Sequence, residues 1–418
     1  MTEPLSLAER IVQLMQHLGI DRAHFAACMP RDWQTLLASH ADRVASLTLI
    51  CPMGLNVDVL EKTKAPLLCI AGDRGRPARE TERDLAKLPG VKSSVLRDYL
   101  SPPWADPIAQ RTTEIDQAMS DFIAVTKSLP ESATAPMDGE FSEINYSIRG
   151  HSAPLILLPL ALAPSQWEPL IPRLSERFCT ITLGGAHLGM VAHLESRAQS
   201  SYMRIIDQLI RELSLSSGQS VLEVGCGPGA IVRRLAKQTD GSIRIIGADV
   251  NRYLLREAAA LAKCEGLDRL IDFQEDDAEN LSFADDQFDA TISCTVMEEG
   301  NADRMLGQLV RVTRQGGKVG AVVRSVDLPR WVNLPLSAEL KQKVEASSFF
   351  GGNVNDQGCA DASLYRRMHQ AGLVNVTMLP QWASHGDGER LEYLQERIAA
   401  LLNDGELAEW RDAVAKAR

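Results

Sequence analysis

The 418-residue sequence predicts an α/β protein of two domains, and three observations carry that prediction. The chain is longer than one ordinary hydrophobic core supports. Short apolar runs of strand length alternate with amphipathic helical stretches from the amino end onward, the pattern of a mainly parallel sheet covered by helices. A strand, a glycine-rich loop and a helix then succeed one another at 219–239, "QSVLEVGCGPGAIVRRLAKQT", and open a second alternation of the same kind.

In chain order, "SLAERIVQLMQHLG" places Ser6 and Glu9 at capping-box spacing and Ile11, Leu14, Met15 and Leu18 on one helical face, with Gly19 as the stop. Strand-like runs come next at 23–27, 44–51 ("VASLTLIC"), 66–72 ("PLLCIAG") and 91–96 ("VKSSVL"), separated by helical stretches. The segment 128–138, "SLPESATAPMD", has the Ser, Ala, Pro and Glu content of a linker. Further strand-like runs occupy 139–185.

Composition narrows the function classes. A net charge of −11 without a long basic run argues against sequence-independent binding to nucleic acid. The longest apolar run, "PLILLPLALAP", falls far short of the roughly 20 residues of a membrane span, and the start shows no signal-peptide pattern, so a cytoplasmic protein without membrane association is expected. Eight scattered cysteines show neither a disulfide framework nor zinc-like spacing, so no metal is expected. Small molecules are the expected partners.

The stretch "LGIDRAHFAACMPRDWQTLLASHADRVASLTLICP" resembles the second half of an α/β-hydrolase: helix, elbow strand, elbow helix and next strand. The run 139–185 resembles the opening strands of the same family. The resemblance implies a circularly permuted core, with 1–127 as its second half, 128–138 as the join and 139–195 as its first half. Permutation is tolerable because domain termini are often close in space. The alternative is a half-fold completed by a second chain, which would make the protein a homodimer.

That resemblance aligns Cys28 with the nucleophile. An elbow turn needs small neighbours, and here Ala26 and Pro30 replace the flanking glycines, with Pro30 also removing a backbone donor where the helix should begin. Gly75 in "GDRG" stands where the family's acid usually lies, no histidine occurs between 41 and 150, and Leu160 replaces an oxyanion-loop glycine. The expectation is an inactive domain acting as scaffold, lid or oligomerisation surface. The alternative is a bifunctional enzyme with a working Cys-dependent hydrolase or acyl-transfer domain.

From residue 196 onward the second alternation supplies Asp249 at the end of "IRIIGADVN", an acidic turn at Asp276 and Asp277, a strand running to Cys294, a helix, Gly316–Gly317 and another strand. This succession resembles the class I S-adenosylmethionine-dependent methyltransferases, with a Rossmann-like sheet. The resemblance implies that Tyr202, Glu223, Gly225, Cys226, Gly227, Gly229, Asp249, Val250, Asp276, Asp277, Ala278 and Cys294 line the cofactor. Within that set the glycine loop and Glu223 would take the methionine moiety, Asp249 the ribose hydroxyls, Asp277 and the backbone at Ala278 the adenine. The carbonyl of Cys294 would lie near the amino acid end. Carboxylates and carbonyls suit a cationic sulfonium donor, and loop amides suit its carboxylate. Glu298 and Glu299, past the fourth strand, are candidate bases. An insertion near 325–370, before the family's last strands, offers Arg324, Trp331, Cys359, Asp361 and Tyr365 as a substrate wall, with Phe349 and Phe350.

Overall fold

The computed structural model describes residues 5–52, 54–101, 105–126, 129–131, 135–198, 201–239, 241–347, 354–386, 388–399 and 401–417. The chain divides into two compact units between His193 and Leu194, and the helix Gly189–Ala198 runs across that point.

The amino-terminal unit is built on eight strands: β1 (Ala23–Ala27), β2 (Val44–Ile50), β3 (Leu67–Gly72), β4 (Lys92–Leu96), β5 (Met137–Phe141), β6 (Ile144–Arg149), β7 (Ala153–Leu157) and β8 (Phe178–Gly184). Their spatial order is β4-β3-β2-β1-β7-β8-β6-β5. All neighbours run parallel except β6, antiparallel to β8 and to β5. The strands from both sides of the 128–138 segment therefore share one sheet, joined where β1 pairs with β7. β1 is buried at every position, and its alternation feeds both faces. Ala23, Phe25 and Ala27 join the cluster of Leu14, Trp33 and Ile181, while Ala26 joins that of Ile70, Met119 and Trp167. The helix Leu7–His17 carries the predicted capping box between Ser6 and Glu9.

The carboxy-terminal unit holds five parallel strands: β9 (Ser220–Val224), β10 (Arg244–Asp249), β11 (Ile271–Glu275), β12 (Phe288–Cys294) and β13 (Thr313–Val322), in the order β11-β10-β9-β12-β13. β9 lies centrally, so the loop leaving its carboxyl end emerges at the switch point where the strand order reverses.

Two features differ from the sequence expectation. Gly316 and Gly317 do not separate a helix from a strand: they lie inside β13, which shifts register between the Phe288–Thr313 and Ala290–Lys318 pairs, so residues 314–317 form a bulge. The family's last strands are also absent among the described residues. "LVNVTMLP" at 373–380 joins no ladder, because Asn375 takes a left-handed φ of 56° and Pro380 removes a donor, leaving Val374 80 % exposed. The unit's end is helical instead. Helices Gly388–Ala399 and Asp404–Ala417 pack Ile398 and Trp410 against Leu340 and Val344 of helix Ala338–Glu345, so the insertion shares a small core with the chain's end. No described helix is long and apolar enough to cross a membrane.

Candidate functional site

The loop after β9 turns sharply into the helix Ala230–Thr239 through three glycines in left-handed backbone: Gly225 (φ 74°), Gly227 (φ 53°) and Gly229 (φ 80°). At Gly225 a side chain would also collide, since its Cβ would lie 2.2 Å from Cγ2 of Val296. The loop is tied to the end of β10. The N–H groups of Gly225 and Cys226 donate to the Ala248 carbonyl at 2.7 and 3.0 Å. The Gly227 N–H donates to Oδ2 of Asp249 at 2.8 Å, and the Asn251 N–H to its Oδ1 at 2.8 Å. Asp249 thus uses both oxygens to brace the loop and the next helix, and each oxygen keeps a lone pair for a further donor. Burial raises its pKa, opposed by those two backbone hydrogen bonds.

Glu223, 1 % exposed, stands one residue before the end of β9. Burial pushes its pKa well above the ordinary glutamate value; the Val232 N–H, in the first turn of the helix after the loop, and the Arg197 guanidinium oppose that shift, and the Asp249 charge adds to it. Its Oε2 is buried and has no hydrogen-bond partner among the described residues. A dry carboxylate oxygen without a donor is costly unless something supplies one. A ligand ammonium would do so, and a sulfonium nearby would add only its charge.

β12 closes the site on its other side. Cys294 is buried and its thiol is driven upward chiefly by that burial and by Glu223. Thr295 comes next in left-handed backbone (φ 59°); its hydroxyl donates to the Cys294 carbonyl at 2.6 Å and accepts from Arg197 Nη2 at 2.9 Å. The Arg197 guanidinium also lies 4.0 Å from the ring centroid of Tyr202. Sequence reasoning missed Arg197, Thr295 and Val296. No periodicity singles out Arg197 on its helix, and a left-handed β-branched residue leaves no sequence signal.

The remaining candidates have other surroundings. Asp276 accepts from the Ser282 N–H and hydroxyl, and Asp277 from the Glu279 N–H, so both carboxylates shape the turn after β11. Ala278 packs on the core beside them, and Val250 is 70 % exposed. Glu298 is fully buried: Oε1 accepts from the Arg324 N–H at 2.8 Å and faces its Nε at 3.4 Å, while Oε2 has no partner among the described residues. Glu299 lies at the rim, its pKa raised by lost hydration and by Glu298, with Arg324 opposing. Trp331 is exposed and stacks on Trp382 at 4.1 Å, and Tyr365 meets the His369 ring edge-on at 4.7 Å. Cys359 belongs to the core, and Asp361 accepts from the Ser363 N–H at the start of a helix. Phe349 and Phe350 lie outside the described residues.

At the carboxyl ends of β1 to β3, in the amino-terminal unit, Cys28 is 3 % exposed and its thiol donates to the Cys51 carbonyl at 3.3 Å. His24 is committed to Ser46, Nδ1 to Oγ at 2.8 Å, and burial depresses its pKa to about 4. Leu160 and Trp167 belong to the same buried apolar cluster as Cys28, and the Gln166 amide is spent on the backbone of Leu162 and Ala105.

Residues 221–317 match the family model described as a methyltransferase domain. The methyltransferase GfsG of Streptomyces halstedii is 34% identical over 117 residues, 28% of this chain and 41% of that protein. Demethylmenaquinone methyltransferase of Lactobacillus johnsonii is 29% identical over 150 residues, 36% of this chain and 62% of that protein. The chain therefore spans less than two thirds of these curated relatives. The crystal structure of an Aquifex aeolicus SAM-dependent methyltransferase has 19% identity, a TM-score of 0.25 and covers 28% of this chain and 61% of that one. Within the carboxy-terminal unit, residues 221–317 therefore carry a methyltransferase domain.

Proposed function

We propose that the chain transfers a methyl group from S-adenosylmethionine to a small-molecule acceptor, with the donor held at the carboxyl ends of β9, β10 and β12. The observation that carries this reading is the bracing of the glycine loop by Asp249 beside the orphaned Oε2 of Glu223. That pairing offers acceptors where a cationic donor has charge, whereas the N–H groups of Gly225, Cys226, Gly227 and Gly229, which the sequence offered to its carboxylate, are spent on Ala248, Asp249 and Cys226. Asp249 would take the ribose hydroxyls on its free lone pairs. The bound donor supplies the reactive methyl on its sulfonium. The chain's own part is to orient the donor, exclude water and, through Glu298 or Glu299, take a proton from the acceptor where one must leave.

We infer further that the amino-terminal unit is a permuted, hydrolase-like scaffold without hydrolytic activity. Started at Met137 instead of the amino end, the spatial order of its strands becomes 1-2-4-3-5-6-7-8, a walk across the sheet with one exchange. The thiol of Cys28 donates to a carbonyl and lies in a buried apolar cluster that includes Leu160 and Trp167, which supports the inactive reading over a Cys-dependent hydrolase. Calorimetric titration with S-adenosylmethionine, beside a p-nitrophenyl ester assay, tests both parts. Donor binding with no ester cleavage is expected, and ester cleavage lost on alkylation of Cys28 would favour the bifunctional alternative.

A further inference from the structure

Every N–H of the glycine loop is engaged within the chain. Those of Gly225 and Cys226 donate to the Ala248 carbonyl, that of Gly227 to Asp249 and that of Gly229 to the Cys226 carbonyl, while Pro228 has none. The amino acid end of the proposed donor carries two opposite charges. Glu223, whose buried Oε2 has no partner among the described residues, answers only the ammonium. The carboxylate loses hydration on entering such a site and needs a cation from outside the loop.

The helix Gly189–Ala198 carries one. Its carboxyl end lies over the loop: a Cβ on Gly227 would meet Leu194 Cδ1 at 3.5 Å, and Glu195 is ion-paired with Arg233 of the helix that follows the loop. Two residues on, Arg197 donates from Nη2 to the Thr295 hydroxyl at 2.9 Å and holds its guanidinium 4.0 Å from the centroid of the Tyr202 ring. Arg197 thus spans from the loop after β9 to the turn after β12, and its charge opposes the upward shift of the Glu223 pKa. Two neighbouring cations are committed to other acids, Arg233 to Glu195 and Glu265, and Arg324 to Glu298. We propose that Arg197 binds the carboxylate of the methyl donor, so that Arg197 and Glu223 together read both charges of its amino acid end. A guanidinium carries five N–H groups in a planar fork, and the Tyr202 ring and the Thr295 hydroxyl set that plane for the two oxygens of a carboxylate. The inference rests on the proposed donor site and adds to it the residue that takes the ligand's negative end.

The test compares three probes on the full chain by calorimetry. S-adenosylhomocysteine carries both charges, its decarboxylated analogue S-adenosyl-3-thiopropylamine keeps only the ammonium, and 5′-methylthioadenosine has neither. Arg197→Met keeps the apolar stem and removes the guanidinium. It should weaken S-adenosylhomocysteine roughly tenfold to a hundredfold, the worth of hydrogen bonds to a charged group, and by about tenfold or more beyond any change in the other two probes. Arg197→Lys keeps the charge without the fork and should show the same selectivity with a smaller loss, so the test stands even where the methionine variant does not fold. Undiminished binding of S-adenosylhomocysteine, or an equal loss for it and for the decarboxylated analogue, would overturn the assignment. Asp249→Ala separates the two levels. If it leaves all three affinities intact, the donor site itself is misplaced; if it weakens all three while the Arg197 variants show no selectivity, the site stands and only the carboxylate assignment fails.

Discussion

Exchanging Asp249 for asparagine replaces one carboxylate oxygen by an NH2 group and should weaken both the fold and donor binding. Each carboxylate oxygen accepts a backbone N–H at 2.8 Å, from Gly227 on one side and Asn251 on the other. An asparagine offers one oxygen and one NH2, so whichever way it turns, one buried N–H faces another donor. Leaving that group unsatisfied costs the fold about 1–3 kcal/mol with or without the donor, whereas replacing a charged acceptor by a neutral one for the ribose hydroxyls costs binding about 1 kcal/mol. Donor affinity should therefore fall by roughly fivefold, with a lowered melting temperature beside it. Asp249→Ala, with no acceptor for the ribose hydroxyls at all, should lose about 1–3 kcal/mol of donor affinity. The assay is titration calorimetry with S-adenosylhomocysteine near neutral pH, with a thermal melt to show that each variant is folded. A folded Asp249→Asn variant within twofold of the parent affinity would refute the reasoning, because it would mean that the braced loop does not carry the ligand.

Glu223 should couple donor binding to proton release. Its donor-free pKa is raised by burial, and an adjacent cation would lower it, so between the two values binding expels a proton and affinity climbs as pH rises through that window. Calorimetry in buffers of different ionisation enthalpy should report that proton, and Glu223→Gln should abolish it. The same raised pKa makes the ionised form costly in the folded chain, a penalty absent at low pH and growing as pH rises, so donor-free Glu223→Gln should melt higher than the parent at neutral pH while binding more weakly. Gly225→Ala must fit a Cβ at 2.2 Å from Val296 on left-handed backbone, a cost of about 2–5 kcal/mol. Adding Val296→Ala should recover part of the lost melting temperature, and no recovery would place the strain elsewhere. Cys28→Ala should leave methyl transfer largely intact, and a measurable loss in a folded variant would give that thiol a role beyond packing.

The parts of this protein that were legible in its sequence are those fixed by local chemistry. The capping box at Ser6 and Glu9 and the glycine loop at 225–229 are short-range patterns, and each sits where its spacing placed it. The parallel order of β9 to β13 arises from strands alternating with helices, save between β11 and β12, which a turn-forming segment joins. Long-range events were not legible. Gly316–Gly317 reads as a turn locally and becomes a bulge only because β12 offers a ladder to either side of it. The family's last strands were expected after the insertion, yet Asn375, in left-handed backbone, interrupts the apolar run at 373–380. The packing of Trp410 and Ile398 against Leu340 joins segments more than fifty residues apart, which periodicity cannot signal. In the candidate site, the acids and glycines were named from their spacing, whereas the Arg197–Thr295–Cys294 chain depends on a backbone angle and on a side chain reaching 98 residues along the sequence.

The most direct measurement is the structure of the chain with S-adenosylhomocysteine bound. The ribose hydroxyls are expected on Asp249 and the ammonium beside Oε2 of Glu223 and the Cys294 carbonyl. The ligand found away from the ends of β9 and β10, or bound there with Glu223 Oε2 still lacking a donor, would contradict the proposed site.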